Sequence, residues 1–521
     1  MTHNLRRYEH LSVMVGLRVD LVSVRMGLKN VGENGVKAVL RKRVEQAFRT
    51  YDTLHQVRDA VLNPEQVDPV GGELVEDDAA PQFGERRRTA AVVDGNVLLM
   101  GVPEAVGTID GFANIVYGSV RDALTAAHLV VVAFDEPENL TLAKKEEQAR
   151  RDAARKARTV SCSLDMQPCP LTDGFTREEL LRLPDVHLLK ANRKCRTRLY
   201  DEVMRMVFER VSRVMAQWTG NGHDAGALLL DGVDLRGCDR PAGETRVLSM
   251  IGTDSDVAAK FAREKPIGEG DLKLMALENR IRELITEEPE RYAPYTLCIT
   301  STTDTDTLPI MLIDIAKRRL NPYAGSLHSV FCMRSPATKR DRESNPDARA
   351  TFLACDVALL EGNVQQHLWS SCGHIDVTPD QLLNSMLAFA SAAAICGCDF
   401  VVNGLKGSRF DHFYEALPKF VASEPRALAS FSDALAPEPS VAMGAAQSLY
   451  RVCLCASNAM TDKPRFKRQA QTVSEVSDQL LRRSIWSTAY WSQQEHHASE
   501  YWGFLPVIDT REPKDVPVCS G

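Results

Sequence analysis

The chain has 521 residues, 44% of them hydrophobic and 26% charged, a balance that suits a globular protein of several domains. No unbroken apolar run nears the ~20 residues of a membrane helix. The first twenty residues carry acids that a secretory leader avoids, so an intracellular protein, cytoplasmic or nuclear, with no membrane partner is expected. A formal charge of -7 excludes a uniformly basic nucleic-acid coat but is silent on local patches.

Taken in chain order, residues 1–88 read as a helical N-terminal extension ending in a loop at 62–88 rich in Pro, Gly and acids. TAAVVDGNVLLM (89–100) reads as a buried strand that ends on Asp94, and AAHLVVVAFDEPENL (126–140) as a second that ends on Asp135. Residues 139–158 then hold seven Lys/Arg against three acids, and 190–198 (KANRKCRTR) five Lys/Arg and no acid. The second cluster leads into a helix whose apolar positions Val203, Met206, Val207, Val211, Val214, Met215 and Trp218 step by threes and fours. TRVLSMIGTDSD (245–256) and YTLCITSTTDTD (295–306) repeat the form of an apolar run closing on acids.

Between them IGEGDLKLMALENRIREL sets Glu269 and Asp271 at a helix start, with Leu277, Ile281 and Leu284 on the buried side. Residues 333–350 and 431–445 read as loops. Thr378, Pro379 and Gln381 form an N-cap, first helical position and capping box for a helix that runs to about Cys396, with Asp399 beyond it. The aromatic stretch 486–504 reads as core packing rather than base stacking. Thirteen cysteines without a C-x-x-C argue against structural zinc and suit reduced core thiols.

Strands alternating with helical segments predict an α/β fold, a mainly parallel central sheet covered by helices, with helical insertions and a helical C-terminal part. In such sheets ligands gather at the carboxyl ends of the strands, where these acids fall. If the backbone stays extended at Asp304 and Asp306, the two share one face and repel each other. Seven carboxylates on one sheet edge require cations, and two Mg²⁺ or Mn²⁺ suit an all-oxygen set. Two such ions can activate a water and stabilise both oxygens of an in-line phosphoryl displacement. No Ser/His/Asp or Cys/His set is evident, His496 and His497 are adjacent and so diverge on a helix, and no G-x-x-x-x-G-K-[ST] supports a P-loop.

In order, AAVVDGN, VVVAFDEPENL with its basic helix, IGEGDLKLM, STTDTDTL and ICGCDF resemble the metal-binding segments of the 5′-nuclease superfamily. That group includes the flap endonuclease/XPG-like and Xrn-type 5′→3′ exonucleases and has a PIN-like nuclease fold. The resemblance spans roughly 89–410 and implies a catalytic domain there, followed by a helical, aromatic-rich region over 411–521. It implies that Asp94, Asp135, Glu269, Asp271, Asp304, Asp306 and Asp399 hold two catalytic metals. It further implies that Lys144, Lys145, Gln148 and Arg151 act at the 5′ end and the scissile phosphate, beside Arg150. Lys190, Arg193, Lys194 and Arg196 would draw in phosphates. The implied partner is a nucleic acid with a 5′ end, RNA or DNA; no protein partner is indicated.

The chain departs from the family in three ways. More than ninety residues precede Asp94, where relatives start at a Met-Gly that MGLKNV (26–31) only partly matches, Asp271 stands where Glu is usual, and the stretch from Asp135 to Glu269 is longer than in compact relatives. GEGDLKLM and the long interval from Asp306 to Asp399 favour the 5′→3′ exoribonuclease branch. VVNGLKGSR, with Gly404, Lys406 and Gly407, resembles the duplex-gripping loop of the structure-specific flap endonucleases, which stand as the alternative. A catalytically inactive nuclease-fold protein, a nucleic-acid binder or scaffold, is the second alternative.

Overall fold

A computed structural model describes residues 35–63, 88–103, 105–141, 144–145, 174–191, 193–304, 306–320, 327–335, 351–373, 376–398, 400–401, 409–436, 439–459 and 476–492. The chain divides into two compact units. One comprises 36–139 with 165–386, the other 1–35, 140–164 and 387–521.

The first unit is built on an eight-stranded sheet. Its strands are β1 (Phe48–Tyr51), β2 (Thr89–Asp94), β3 (Leu129–Ala133), β4 (Ala227–Asp231), β5 (Ile251–Gly252), β6 (Leu297–Thr302), β7 (His328–Ser335) and β8 (Thr351–Asp356), in the spatial order β1-β8-β7-β6-β2-β3-β4-β5. The five central strands, β7 to β4 in that order, are parallel. β5 at one edge and β8 and β1 at the other pair antiparallel to their neighbours. The expected α/β class with a mainly parallel sheet is thus observed.

A parallel sheet needs cover on both faces, and its strands are apolar throughout; every residue of β2, β3 and β4 is buried. The alternate positions Ala91, Val93, Val130, Val132, Leu228 and Leu230 share a core with Phe112 and Val116 and with Leu199, Val203, Val207 and Val211. The first two belong to α2 (Ile109–Ala126), which follows the short α1 (Gly95–Met100). The last four belong to α3 (Arg193–Gly220), and Val203, Val207 and Val211 lie on the stripe expected from spacing. The helix α4 (Gly270–Glu287) packs on β2, β3 and β6, with Leu277, Ile281 and Leu284 buried as expected. After β6 the chain enters α5 (Thr307–Arg319).

β2 lies at the centre. The chain runs outward through β3 and β4 on one side, then returns to place β6 and β7 on the other. The strand order therefore reverses at β2, and such a reversal opens a crevice beyond the carboxyl ends of the strands.

Several expectations are corrected. Residues 36–63 do not form a separate helical extension: Phe48–Tyr51 is an edge strand paired with β8. The segment 245–256 yields only the two-residue β5, while ALLLD at 227–231 forms β4 beside β3. Residues 333–335 end β7, not a loop. Within 431–445 helix begins at Pro439.

The Thr378/Gln381 capping box is present, each side chain accepting from the other's backbone amide, at the start of α6 (Pro379–Ile395). In the second unit Trp486 is buried, stacks on Tyr490 at 4.8 Å and meets Phe400 edge-on at 5.2 Å, so the described part of the aromatic stretch is core. Among the described residues no helix is long and apolar enough to cross a membrane.

Candidate functional site

Asp94 closes β2 and caps α1. In register Asp94 is level with Ala133 of β3, and Ala133 with Asp231 of β4. The Asp94 side chain is buried; Oδ1 accepts from the Asn96 amide at 2.9 Å and Oδ2 from the Thr302 hydroxyl at 3.2 Å. Thr302 ends β6, the strand on the other side of the reversal. Burial, then the charge of Asp135 and, more weakly, that of Asp304 push the Asp94 carboxyl up to about 7, against the hydrogen bonds that favour its anion.

Asp135 lies two residues beyond β3. Its Oδ1 accepts from the Gly270 amide at 2.7 Å, in the first turn of α4, where the helix dipole favours an anion. A Cβ on Gly270 would stand 3.0 Å from Asp135 Oδ1, 3.7 Å from Asn96 Nδ2 and 4.0 Å from Asp94 Oδ1. The bare glycine therefore lets the helix start close over both carboxylates. Glu269, buried, is the N-cap residue of α4, and Asp271 accepts from the Thr307 hydroxyl at 3.1 Å.

The expectation of an extended D-x-D is not met. β6 stops at Thr302, and Asp306 has already turned into αR geometry as the N-cap residue of α5. Asp304 Oδ1 accepts from the Asp306 amide at 3.0 Å, and the Asp304 amide donates to the Thr302 hydroxyl at 3.1 Å. The two acids are linked through a local turn rather than by sharing a strand face, because Asp readily bonds the backbone two residues on. Thr302 thus connects Asp304 to Asp94.

Six of the seven expected carboxylates, Asp94, Asp135, Glu269, Asp271, Asp304 and Asp306, therefore lie at the carboxyl edge of the sheet, around the β2/β6 reversal. Asp399 lies outside the described residues. The all-oxygen donor set suits Mg²⁺ or Mn²⁺, and the Gly270 gap is a cradle that any larger residue would fill. Among the described residues, however, no three Asp, Glu, His or Cys side chains are already drawn together as a cation-binding group. The donor chemistry fits the ions; the closure of a complete cage is not part of this arrangement.

The basic candidates fare differently. Lys144 is buried in the second unit, its ammonium 5.6 Å from the centre of the Phe400 ring, with Lys145 next to it in a helical turn. In the first unit Lys190 donates to the Leu99 carbonyl at 3.1 Å and lies 4.6 Å over the Phe112 ring, so its charge is engaged in the fold rather than offered outward. Arg196 is half-buried on α3. Gln148, Arg150, Arg151, Gly404, Lys406 and Gly407 lie outside the described residues, as do the side chains of Arg193 and Lys194.

Sequence reasoning missed a charged group beside the acids. Lys273, fully buried on α4, places Nζ 2.5 Å from Glu136 Oε1 and 3.5 Å from Asp231 Oδ1, and Arg263 reaches Asp231 Oδ2 at 2.5 Å. Two signals were available. Asp231 ends an apolar run as Asp94 does, and Lys273 precedes Leu277 by one turn on the core-facing side of α4. No family model matches the chain, and no curated protein matches it in sequence, so the reading of this edge rests on its own residues.

Proposed function

We propose that the first unit is a divalent-cation-dependent phosphodiester hydrolase of the 5′-nuclease kind, with a PIN-like sheet, acting at or near the 5′ end of a nucleic acid and closer to the 5′→3′ exoribonucleases than to the flap endonucleases. The observation that carries this reading is the set of bonds that places like-charged acids at one sheet edge: the Thr302 hydroxyl donates to Asp94 and accepts from the Asp304 amide, and the Gly270 amide holds Asp135, so that these acids repel. Repulsion of this kind is costly to a fold and is offset by cations.

Two Mg²⁺ or Mn²⁺ held there would supply an activated water and screen the phosphate's charge. The chain's own groups set the donors. Asn96 and Thr302 hold Asp94, the Gly270 amide holds Asp135, Thr307 holds Asp271, and the Asp306 amide holds Asp304.

A second reading, a nuclease-fold scaffold or nucleic-acid binder without catalysis, draws support from the open arrangement of the carboxylates and from Lys144 and Lys190, both engaged in packing. One assay separates the two. Wild type and Asp304→Asn/Asp306→Asn are given 5′-labelled single-stranded RNA, single-stranded DNA and a 5′-flap DNA, with Mg²⁺, Mn²⁺ or EDTA. Cation-dependent cutting that the double variant and EDTA both abolish supports the hydrolase, and the preferred substrate identifies the branch. Binding without cutting supports the scaffold.

A further inference from the structure

We propose that Lys273 is a positioning residue for the cation-binding edge, an internal ammonium strut that holds the start of α4 against the loop carrying Asp135. The inference rests on the cation reading above.

Lys273 follows Asp271 by two residues, and its amide donates to the Glu269 carbonyl at 3.1 Å, so it shares the helical turn of both acids. Its side chain has no exposure to solvent. Nζ contacts Glu136, the residue immediately after Asp135, and Asp231, which is level with Ala133 in the sheet. One ammonium thus ties α4 to the ends of β3 and β4. Glu136 is itself fixed: its Oε2 accepts from Asn139 Nδ2 at 2.7 Å, and its amide donates to the Gly268 carbonyl at 2.8 Å. The space is reserved, because a Cβ on Gly232 would come within 2.7 Å of Nζ and 2.6 Å of the Phe134 carbonyl.

Stability alone gives little reason to bury this charge. Well-packed apolar residues commonly replace buried ion pairs without loss. Glu136 and Asp231 are balanced by Lys273 and Arg263. The block is therefore formally neutral, with no spare positive charge to satisfy the neighbouring acids in place of a cation. Its product is geometry: the separation of Glu269 and Asp271 from Asp135.

The test uses the full chain and Mn²⁺ as the probe. Mn²⁺ affinity, melting temperature without cation, and cleavage as a function of Mn²⁺ are measured for wild type, Lys273→Met and Glu136→Gln. Lys273→Met is expected to weaken Mn²⁺ binding by about tenfold, within the range for groups that orient metal ligands. Its cleavage should recover toward wild type when Mn²⁺ is raised. If Lys273→Met fails to fold, Glu136→Gln, which leaves Asp231 for the ammonium, is expected to shift affinity in the same direction. A lowered melting temperature with wild-type Mn²⁺ affinity in the folded variants reduces Lys273 to a structural pair and overturns the inference alone. Wild type that binds no Mn²⁺ overturns the cation reading, and this inference with it.

Discussion

Gly270 and Asp135 are joined by a 2.7 Å hydrogen bond from backbone amide to carboxylate, across a gap that admits no side chain without crowding. The bond places the positive end of a helix against one acid of a repelling group, and it makes the geometry of the edge depend on a residue with no functional group of its own.

Gly270→Ala separates this role from stability. Alanine favours a helix by up to about 1 kcal/mol over glycine, so unfolding in urea should change little. The added methyl crowds Asp135 at 3.0 Å, and cation affinity should fall about tenfold. Equal affinity for variant and wild type would show that the gap has no part in the site.

Asp94 makes stability depend on pH in an unusual direction for a carboxylate. Its folded value, about 7, lies above its ordinary 3.8, so between those limits the folded state holds more protons than the unfolded one. Without cation, the contribution of Asp94 to stability is therefore best at low pH and worsens as pH rises through 7. Asp94→Asn should stabilise the cation-free protein at pH ~8 by at least about 1 kcal/mol and have little effect at pH ~4. Thermal melts in EDTA at the two pH values check this; a destabilised variant at the higher pH contradicts it.

Gly232→Ala addresses the strut. The residue sits at φ +81, which disfavours any side chain, and its Cβ would collide with the Phe134 carbonyl and with Lys273. A loss of roughly 1–3 kcal/mol in urea unfolding is expected from the backbone alone. An unperturbed midpoint would mean that β4 can shift freely relative to α4.

Glu202 supplies a control remote from the chemistry. Burial pushes its carboxyl up, but Arg205, Arg177 and the Cys238 amide outweigh that and hold it at about 2. A depressed carboxylate stabilises the fold above its ordinary value of 4.5, and that contribution is lost as pH falls toward 2. Glu202→Gln should cost about 2 kcal/mol at neutral pH, with wild type and variant converging in acid. Cation-dependent cleavage per folded molecule should not change.

Local signals in the sequence were readable. A strand end at Asp94, a helix start at Glu269 and Asp271, and the Thr378/Gln381 box each depend on a few consecutive residues. ALLLD, SVFCMRS and TFLACD carry no such signal, since a short apolar run buried on both faces has no period that distinguishes strand from helix. Asp304 and Asp306 were placed on a strand that stops two residues earlier, because Asp competes for the backbone with its own side chain.

Charge counting does not reveal that the long stems of Lys190 and Lys144 carry the ammonium onto aromatic rings. The Glu136–Lys273–Asp231 group joins residues far apart in the chain. Only the fold brings them together, although a lysine on the apolar side of α4 was the visible clue.

The most direct test of the central claim is a calorimetric titration of Mn²⁺ into the full chain, for wild type and for Asp304→Asn/Asp306→Asn, at a pH above that at which Asp94 ionises. Saturable binding of two ions to wild type, with proton release that grows as the pH is lowered toward 7 and with affinity lost in the double variant, is the predicted result. Wild type that takes up no cation at millimolar Mn²⁺, or a double variant that binds as wild type does, would contradict the assignment of this carboxylate edge as a cation site.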